Sequence, residues 1–319
     1  MEEMTIETIL KNLKYRRMDI RFYVERQVRM RHWIGAALRN NFLCAAEEVR
    51  NAQGVSLRQR LDTLPLPKEH FLYKQFCGGF PKSFFFDASA LPYEAPGFVF
   101  QPNREYKVSL IQIGSRFHEE EAFLEAIRRM FSKGFGHPVT PLTLLDVTEE
   151  MRFFVPQKDD VKRNVRVEFT FKTPVSLMRF SNEESQGYQN KLNNFPSFYQ
   201  LMRSLTYRVL SLGVLYGDAS SVWSDRMQME EWVQSYIAPS VRAMLTQANL
   251  RYEKRYSTPK EGKKSVYVMG GYVGKLVFVG VPSVYIPVLD FASNFGVGGD
   301  IQYGLGMFDV RYRENQSGI

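Results

Sequence analysis

The chain has 319 residues, of which 44% are hydrophobic and 24% charged, with 25 Phe and 17 Tyr; that is room for two ordinary domains with real cores, and it excludes a disordered chain. Forty-two Lys and Arg against 34 Asp and Glu leave a formal charge of +8, which favours a polyanionic partner. The two cysteines, Cys44 and Cys77, exclude a disulfide framework and a four-thiolate zinc site and fit a reducing cytosol.

In chain order, Met4, Ile6, Ile9, Leu10 and Leu13 recur at helical spacing and predict a short leading helix. The opening MEEMTIETILKNLKYRR is acidic first, without the long apolar core of a secretory signal, and no run of about eighteen apolar residues follows. A cytoplasmic protein without a membrane partner is the expectation. In MDIRFYVE (18–25), Ile20, Phe22 and Val24 alternate as in a strand. Met30, Trp33, Ile34, Ala37, Leu38, Ala45 and Val49 predict an amphipathic helix from Met30 to Val49, with His32, Ala36 and Arg39 on its opposite face. Residues 51–106 read as loops with short strands at SFFF and GFVF.

YKVSLIQIG (106–114) is a strand, and residues 117–136 a helix that starts with acids, ends with cations and stops at Gly134 and Gly136, with His118 as a cap residue. LTLLDVTEE (142–150) is the next strand, and the charged, proline-bearing stretch 152–164 reads as a connection. Then the plan repeats: a strand over 165–178, a long helix over 195–217, two Gly-punctuated strands over 264–280, a helical piece over 285–296 and a last strand in YGLGMFDVRY. The shared element order predicts an α+β fold of two similar domains in tandem, 1–155 and 156–319.

Between the last helix and strand lie five glycines, Gly296, Gly298, Gly299, Gly304 and Gly306. A dinucleotide fingerprint would join an early strand to a helix, and a P-loop would end in Lys-Ser/Thr; neither applies. Two readings stay open: glycines that let backbone N–H groups approach phosphates, or glycines for tight turning and bulging beside a strand.

These features together resemble a family. The glycine loop with its trailing strand, GGYVG at 270–274 and VEFTFKTPVSL resemble the carboxy-terminal half of the CRISPR repeat-RNA-processing endoribonucleases of the RAMP superfamily. WIGAALRNNF, GFVFQPNREYKVSLIQIG and RRMFSKGFG resemble the first half of that family. The resemblance implies two ferredoxin-like, RNA-recognition-type domains and a metal-independent nuclease that cuts repeat transcripts into guide RNAs. It implies CRISPR repeat RNA as partner, with other CRISPR effector subunits beside it, and no DNA substrate. Asp300 follows Gly299 where the family commonly carries Lys or Arg after the loop's middle glycine.

Cutting RNA without a metal uses the adjacent 2′-hydroxyl as nucleophile, so the site must take one proton, give another and stabilise charge on phosphorus. Histidine titrates nearest neutral pH. The resemblance places the general acid or base near the first helix start, at His32, assisted by Arg39 or Arg31. His137, in the glycine-rich KGFGHPVTP with Lys133 nearby, is the rival; His118 reads as a cap, and His70 has no evident partner. No cofactor or metal is expected: H-E-x-x-H and G-x-S-x-G arrangements are absent, and Asp159-Asp160 reads as a charged linker pair. Basic clusters at 14–17, 26–31, 162–166 and 251–264 offer phosphate contacts, with Arg29, Arg255, Lys263 and Lys264 foremost, joined by the glycine loop. The alternative of another class is a non-catalytic RAMP subunit or RNA-binding module that holds guide RNA.

Overall fold

Alternation builds the strands. In Lys14–Val24 (β1) the buried side chains Met18, Ile20, Phe22 and Val24 take every second position, and Arg17, Asp19 and Arg21 take the positions between. The computed structural model describes residues 6, 10, 13–76, 80–91, 98–114, 119–153, 163–177, 195–217, 223, 225–256 and 268–314. After β1 come Val28–Met30 (β2), Ile34–Glu48 (α1), Leu57–Asp62 (α2), Phe84–Asp87 (β3), Phe98–Phe100 (β4), Arg104–Ile113 (β5), Glu120–Lys133 (α3) and Thr143–Phe153 (β6). The second half contains Asn164–Val175 (β7), Phe198–Tyr216 (α4), Arg226–Ile237 (α5), Met244–Tyr256 (β8), Val268–Pro282 (β9), Ile286–Ser293 (α6) and Phe308–Glu314 (β10).

The first sheet has the order β3-β5-β1-β6 and the second β10-β7-β9-β8, with antiparallel neighbours throughout. Setting aside the small β2–β4 ribbon and the extra helices α2 and α5, each half is β-α-β-β-α-β. In each, the first and third strands are central, the second strand flanks the third, and the fourth flanks the first. That is the ferredoxin-like arrangement, and the α+β plan of two ferredoxin-like domains holds.

Each sheet buries one face under its own helices. Phe22, Phe42, Phe86, Phe123 and Phe131 fill the first core, and Phe169, Phe198, Phe278 and Tyr285 the second. One end of the first sheet's other face is also covered. Tyr15, Phe85, Ile111 and Ile113 belong to the core of the second half, and the Tyr15 ring meets Phe295 edge-on at 4.8 Å and Phe291 at 6.1 Å. A fully buried side chain of this size contributes about 1.5–3 kcal/mol over an exposed one, so this patch clamps the halves together.

Several boundaries differ from the sequence expectation. The first long helix begins at Ile34, because Val28–Met30 pairs with Phe98–Phe100 and buries Val28 and Met30 as alternating strand residues. The stretch 51–106 contains α2, whose signal was legible: Ser56 and Gln59 form a capping box. Residues 268–280 belong to one strand rather than two; β9 is one long strand that lies between β7 and the preceding β8 and pairs with both. The last strand starts at Phe308, since Ile301–Tyr303 forms a turn of 3-10 helix. Ile6 and Leu10 are helical and buried and Leu13 is buried beyond the helix, while the other residues of the predicted leading helix, His118 and Asp159-Asp160 lie outside the described residues.

Candidate active site at the junction of the two halves

The turn 31–33 between β2 and α1 carries the candidate histidine, so His32 precedes the helix rather than sitting in its first turn. The next residue fixes this turn. Trp33 is buried; its backbone N–H donates to the Tyr256 carbonyl at 2.8 Å and its indole N–H to the Tyr303 carbonyl at 2.6 Å. The Arg255 guanidinium lies over the Trp33 ring, 5.3 Å from its centre. All three contacts come from the second half.

His32 itself is half-buried, and its Nδ1 is sealed from solvent without a hydrogen-bond partner among the described residues. Burial, and after it the charge of Arg31, hold its pKa below the ordinary value. The imidazole is therefore neutral near neutral pH and able to take a proton. Arg31 and Arg29 are exposed on either side of Met30, and neither has an ion-pair partner among the described residues.

The face of α1 that the periodicity assigned to solvent is covered instead. Ala36 is fully buried, and a Cβ on Gly35 would stand 2.2 Å from the Tyr303 carbonyl oxygen. Arg39, one turn further, is half-buried with its guanidinium 5.2 Å from the centre of the Tyr303 ring, and its Nε has no partner among the described residues. Burial lowers its pKa, with Tyr303, Asp62 and Arg58 as its charged or titrating neighbours. Trp33 and Arg39 thus reach the same residue, Tyr303, one through its carbonyl and the other over its ring.

The glycine loop packs on this turn. Gly296, Gly298, Gly304 and Gly306 have positive φ, and a Cβ on Gly304 would lie 2.4 Å from the Phe86 carbonyl of β3. The N–H groups of Gly299, Gly304 and Gly306 already donate to the carbonyls of Ser176, Ile301 and Pro174 at 2.8, 2.8 and 2.9 Å. Turning and close approach are what these glycines visibly supply, and three of their N–H groups are engaged within the protein.

Arg255 is buried, and its guanidinium pairs with Glu253 at 2.5 Å, so it does not project from a solvated basic surface as its cluster suggested. It lines a cavity of about 300 Å³ shared by Trp33, Ser89 and Leu91 of the first half and Lys172, Arg251 and Glu253 of the second. Lys263 and Lys264 lie outside the described residues. His137 is exposed, and its backbone N–H donates to the Arg29 carbonyl at 3.2 Å, which brings the rival histidine beside the same strand. His70 stacks on Phe71 at 4.6 Å, and its Nδ1 accepts the Leu72 N–H, a local turn contact. Sequence reasoning missed Tyr303 and Trp33. Their signals were an aromatic residue inside the glycine run and the residue adjoining the histidine.

The uncovered faces of the two sheets differ in charge. On the first, Asp19 binds Lys107 at 2.6 Å and Arg17 at 2.9 Å, and Arg21 binds Glu105 at 3.0 Å. On the second, Arg311 stands opposite Glu168 and Arg313 opposite Arg166, Lys275 binds Glu168, and Lys172 and Arg251 line the cavity. There the cations outnumber Glu168, Glu253 and Asp309. Among the described residues no group of three His, Cys, Asp or Glu side chains could hold a metal ion, and no helix is long and apolar enough to cross a membrane.

Two ferredoxin-like domains thus meet at a histidine-bearing turn. Residues 169–308 match the family model described as CRISPR-associated endoribonuclease Cas6. By fold, the chain is similar to a chain of a partial Cas6-RT-Cas1–Cas2 complex (TM-score 0.58, 9% identity, covering 98% of this chain and 48% of that chain). It is similar in the same degree to a chain of the Cas6-RT-Cas1–Cas2 complex (TM-score 0.58, 9% identity, 98% of this chain and 30% of that chain). A Cas6 product complex follows (TM-score 0.52, 13% identity, 94% of this chain and 100% of that chain). The chain spans about half or less of the length of the first two. No curated protein matches it by sequence. The chain thus resembles the Cas6 endoribonucleases in its second half by sequence and over nearly all its length by fold.

Proposed function

We propose that the chain is a metal-independent endoribonuclease that cuts CRISPR precursor repeat RNA into guide RNAs. The observation that carries this reading is His32: an imidazole held neutral, with a buried and unpartnered Nδ1, in a turn built at the junction of the halves. In the reaction His32 takes the proton of the 2′-hydroxyl beside the scissile phosphate as that oxygen bonds to phosphorus. The bond from phosphorus to the 5′ oxygen breaks, and this oxygen takes a proton, leaving a 2′,3′-cyclic phosphate and a free 5′-hydroxyl. Arg31 and Arg29 stand where exposed cations can meet the charge that builds on the phosphate. Arg39 packs over the Tyr303 ring, so its role is to hold that residue.

RNA follows the cation-rich face of the second sheet towards the cavity at Trp33. DNA, lacking the 2′-hydroxyl, would bind without being cut. Two domains, 1–155 and 156–319, divide the work, in a cytoplasmic setting. The similarity to chains of Cas6-RT-Cas1–Cas2 complexes supports other CRISPR subunits as partners. The second reading, a guide-RNA holder without cleavage, is favoured by the same basic face, which needs no catalytic group.

The test is cleavage of a CRISPR repeat RNA in EDTA by wild type and His32→Ala, with a 2′-deoxy substitution at the cut site. The reading requires cutting that both changes abolish while binding persists. Cutting that survives His32→Ala shifts the role to His137, and binding with no cutting by wild type makes the protein a holder.

A further inference from the structure

The contacts around the turn 31–33 have an unusual distribution. Its polar anchors through Trp33 come from the opposite half of the molecule and from two separate segments: Tyr256 at the end of β8, and Tyr303 in the glycine loop. Trp33 itself is 1% exposed, so it presents no surface to a large ligand. Its indole N–H could have been satisfied by any nearby carbonyl; here the acceptor lies 270 residues away in sequence.

The acceptor is held just as tightly. Gly35 leaves room for the Tyr303 carbonyl, which would stand 2.2 Å from a Cβ at that position. Gly304, at φ 73°, lets the next peptide lie against β3, where a Cβ would meet the Phe86 carbonyl at 2.4 Å. Gly306 donates to the Pro174 carbonyl at the end of β7. A side chain at any of these glycines would displace the Tyr303 carbonyl or its support, and with it the indole. The peptide that donates to Tyr256 joins Trp33 to His32, so a shift of the Trp33 backbone as its ring is displaced moves the histidine with it.

We infer that Trp33 is a positioning residue that sets the orientation of His32 from the second half of the molecule, with the Tyr303 carbonyl in the glycine loop as its anchor. The glycine run is then a strut between the RNA-facing sheet and the catalytic turn. This inference rests on the catalytic reading of His32 for its kinetic consequence but not for its structural one. Gly35 and Gly304 are small because the strut passes between α1 and β3, a reason independent of phosphate binding.

The test is Trp33→Phe, which keeps a ring for Arg255 and removes only the indole donor, beside Gly35→Ala, which presses on the Tyr303 carbonyl from α1. For each, three quantities are measured: single-turnover cleavage of the repeat RNA, its Kd, and the titration of the His32 imidazole by NMR. The charge acting on His32 is that of Arg31, and both variants retain it. The expected result is a cleavage rate lowered about tenfold or more with Kd within about twofold. The His32 pKa should also rise towards the ordinary value of about 6.5 as the ring loosens into solvent. A purely structural role would lower the melting temperature and leave the His32 titration where it is in wild type. The inference is overturned if, in a folded variant, the titration and the rate both stay at wild-type values. Should wild type not cut RNA at all, the functional reading fails by itself, and the His32 titration in the two variants still decides the positioning role. If Trp33→Phe does not fold, Gly35→Ala carries the same three measurements.

Discussion

The two halves share one topology and use it differently. On the uncovered face of the first sheet the charges neutralise each other: Asp19 collects Arg17, Lys107 and the Ser109 hydroxyl, and Arg21 holds Glu105. Where that face is not polar it is covered by the second half, through Tyr15 against Phe291 and Phe295. The second sheet leaves Arg166, Arg311 and Arg313 clustered around Glu168, which is already bonded to Lys275 at 2.8 Å. One β-α-β-β-α-β unit therefore offers a chemical turn beside a neutral face, and the other a face suited to a phosphate backbone. The lesson is that the fold supplies positions, while side chains at the exposed register of the strands decide the charge that each half presents.

This division can be broken experimentally. The largest effect is expected at His32: His32→Ala should slow single-turnover cleavage about 100-fold or more, the usual worth of a general base, with RNA affinity unchanged. A parallel loss of affinity in filter binding would show that the first half also holds substrate, and the contrast would fail. Next comes the joint between the halves. Gly304→Ala places a side chain at φ 73° against the Phe86 carbonyl and should cost about 2–4 kcal/mol in denaturant unfolding; a change within about 0.5 kcal/mol would mean the loop is free to move aside.

The binding face is tested by charge removal. Replacing Arg166, Arg311 and Arg313 together by Ala should weaken repeat-RNA binding about tenfold or more near 0.1 M salt. It should also flatten the dependence of log K on log salt by about 0.7 for each phosphate that is no longer neutralised. Replacing Arg21 and Lys107 on the first sheet should change neither quantity, and equal losses from both sheets would erase the comparison.

The smallest effect concerns the first sheet's own ion network. Burial pushes the Asp19 carboxyl up, but hydrogen bonds from Lys107, Ser109 and Arg17 outweigh it and hold its pKa at about 2. A carboxylate lowered in the folded state stabilises it above the unfolded value of about 3.9, and the contribution disappears as pH falls towards 2. Asp19→Asn should therefore cost about 1–2 kcal/mol at neutral pH, after allowance for partial exposure, and nothing near pH 2. Unfolding midpoints measured from pH 2 to 7 check this; a cost that persists unchanged at pH 2 would trace to packing rather than charge.

Much of this was legible in the chain itself. The strands at 18–25, 106–114 and 165–178 and the helices at 117–136 and 195–217 announce themselves because one buried face imposes period two or 3.6 on the side chains. That repetition gave the two tandem units, while His32 was singled out among four histidines only by the family resemblance, with His137 as the rival. Other features follow from partners distant in sequence. Met30 looked helical by spacing and is a strand residue because Phe98 stands beside it; β9 lies between β7 and β8 because strand pairing is settled across the sheet, not along the chain. Ala36 and Arg39 read locally as the face of a helix opposite its apolar stripe, and the glycine loop as either a phosphate-approaching backbone or a tight turn. What decided their roles was the meeting of Trp33 and Tyr303, residues 270 positions apart whose pairing no periodicity encodes. Local sequence determined which segments are strands and helices, since that depends on neighbours within a few residues; the tertiary structure decided which surfaces are buried between the halves and hence where a half-buried, unpartnered imidazole could exist.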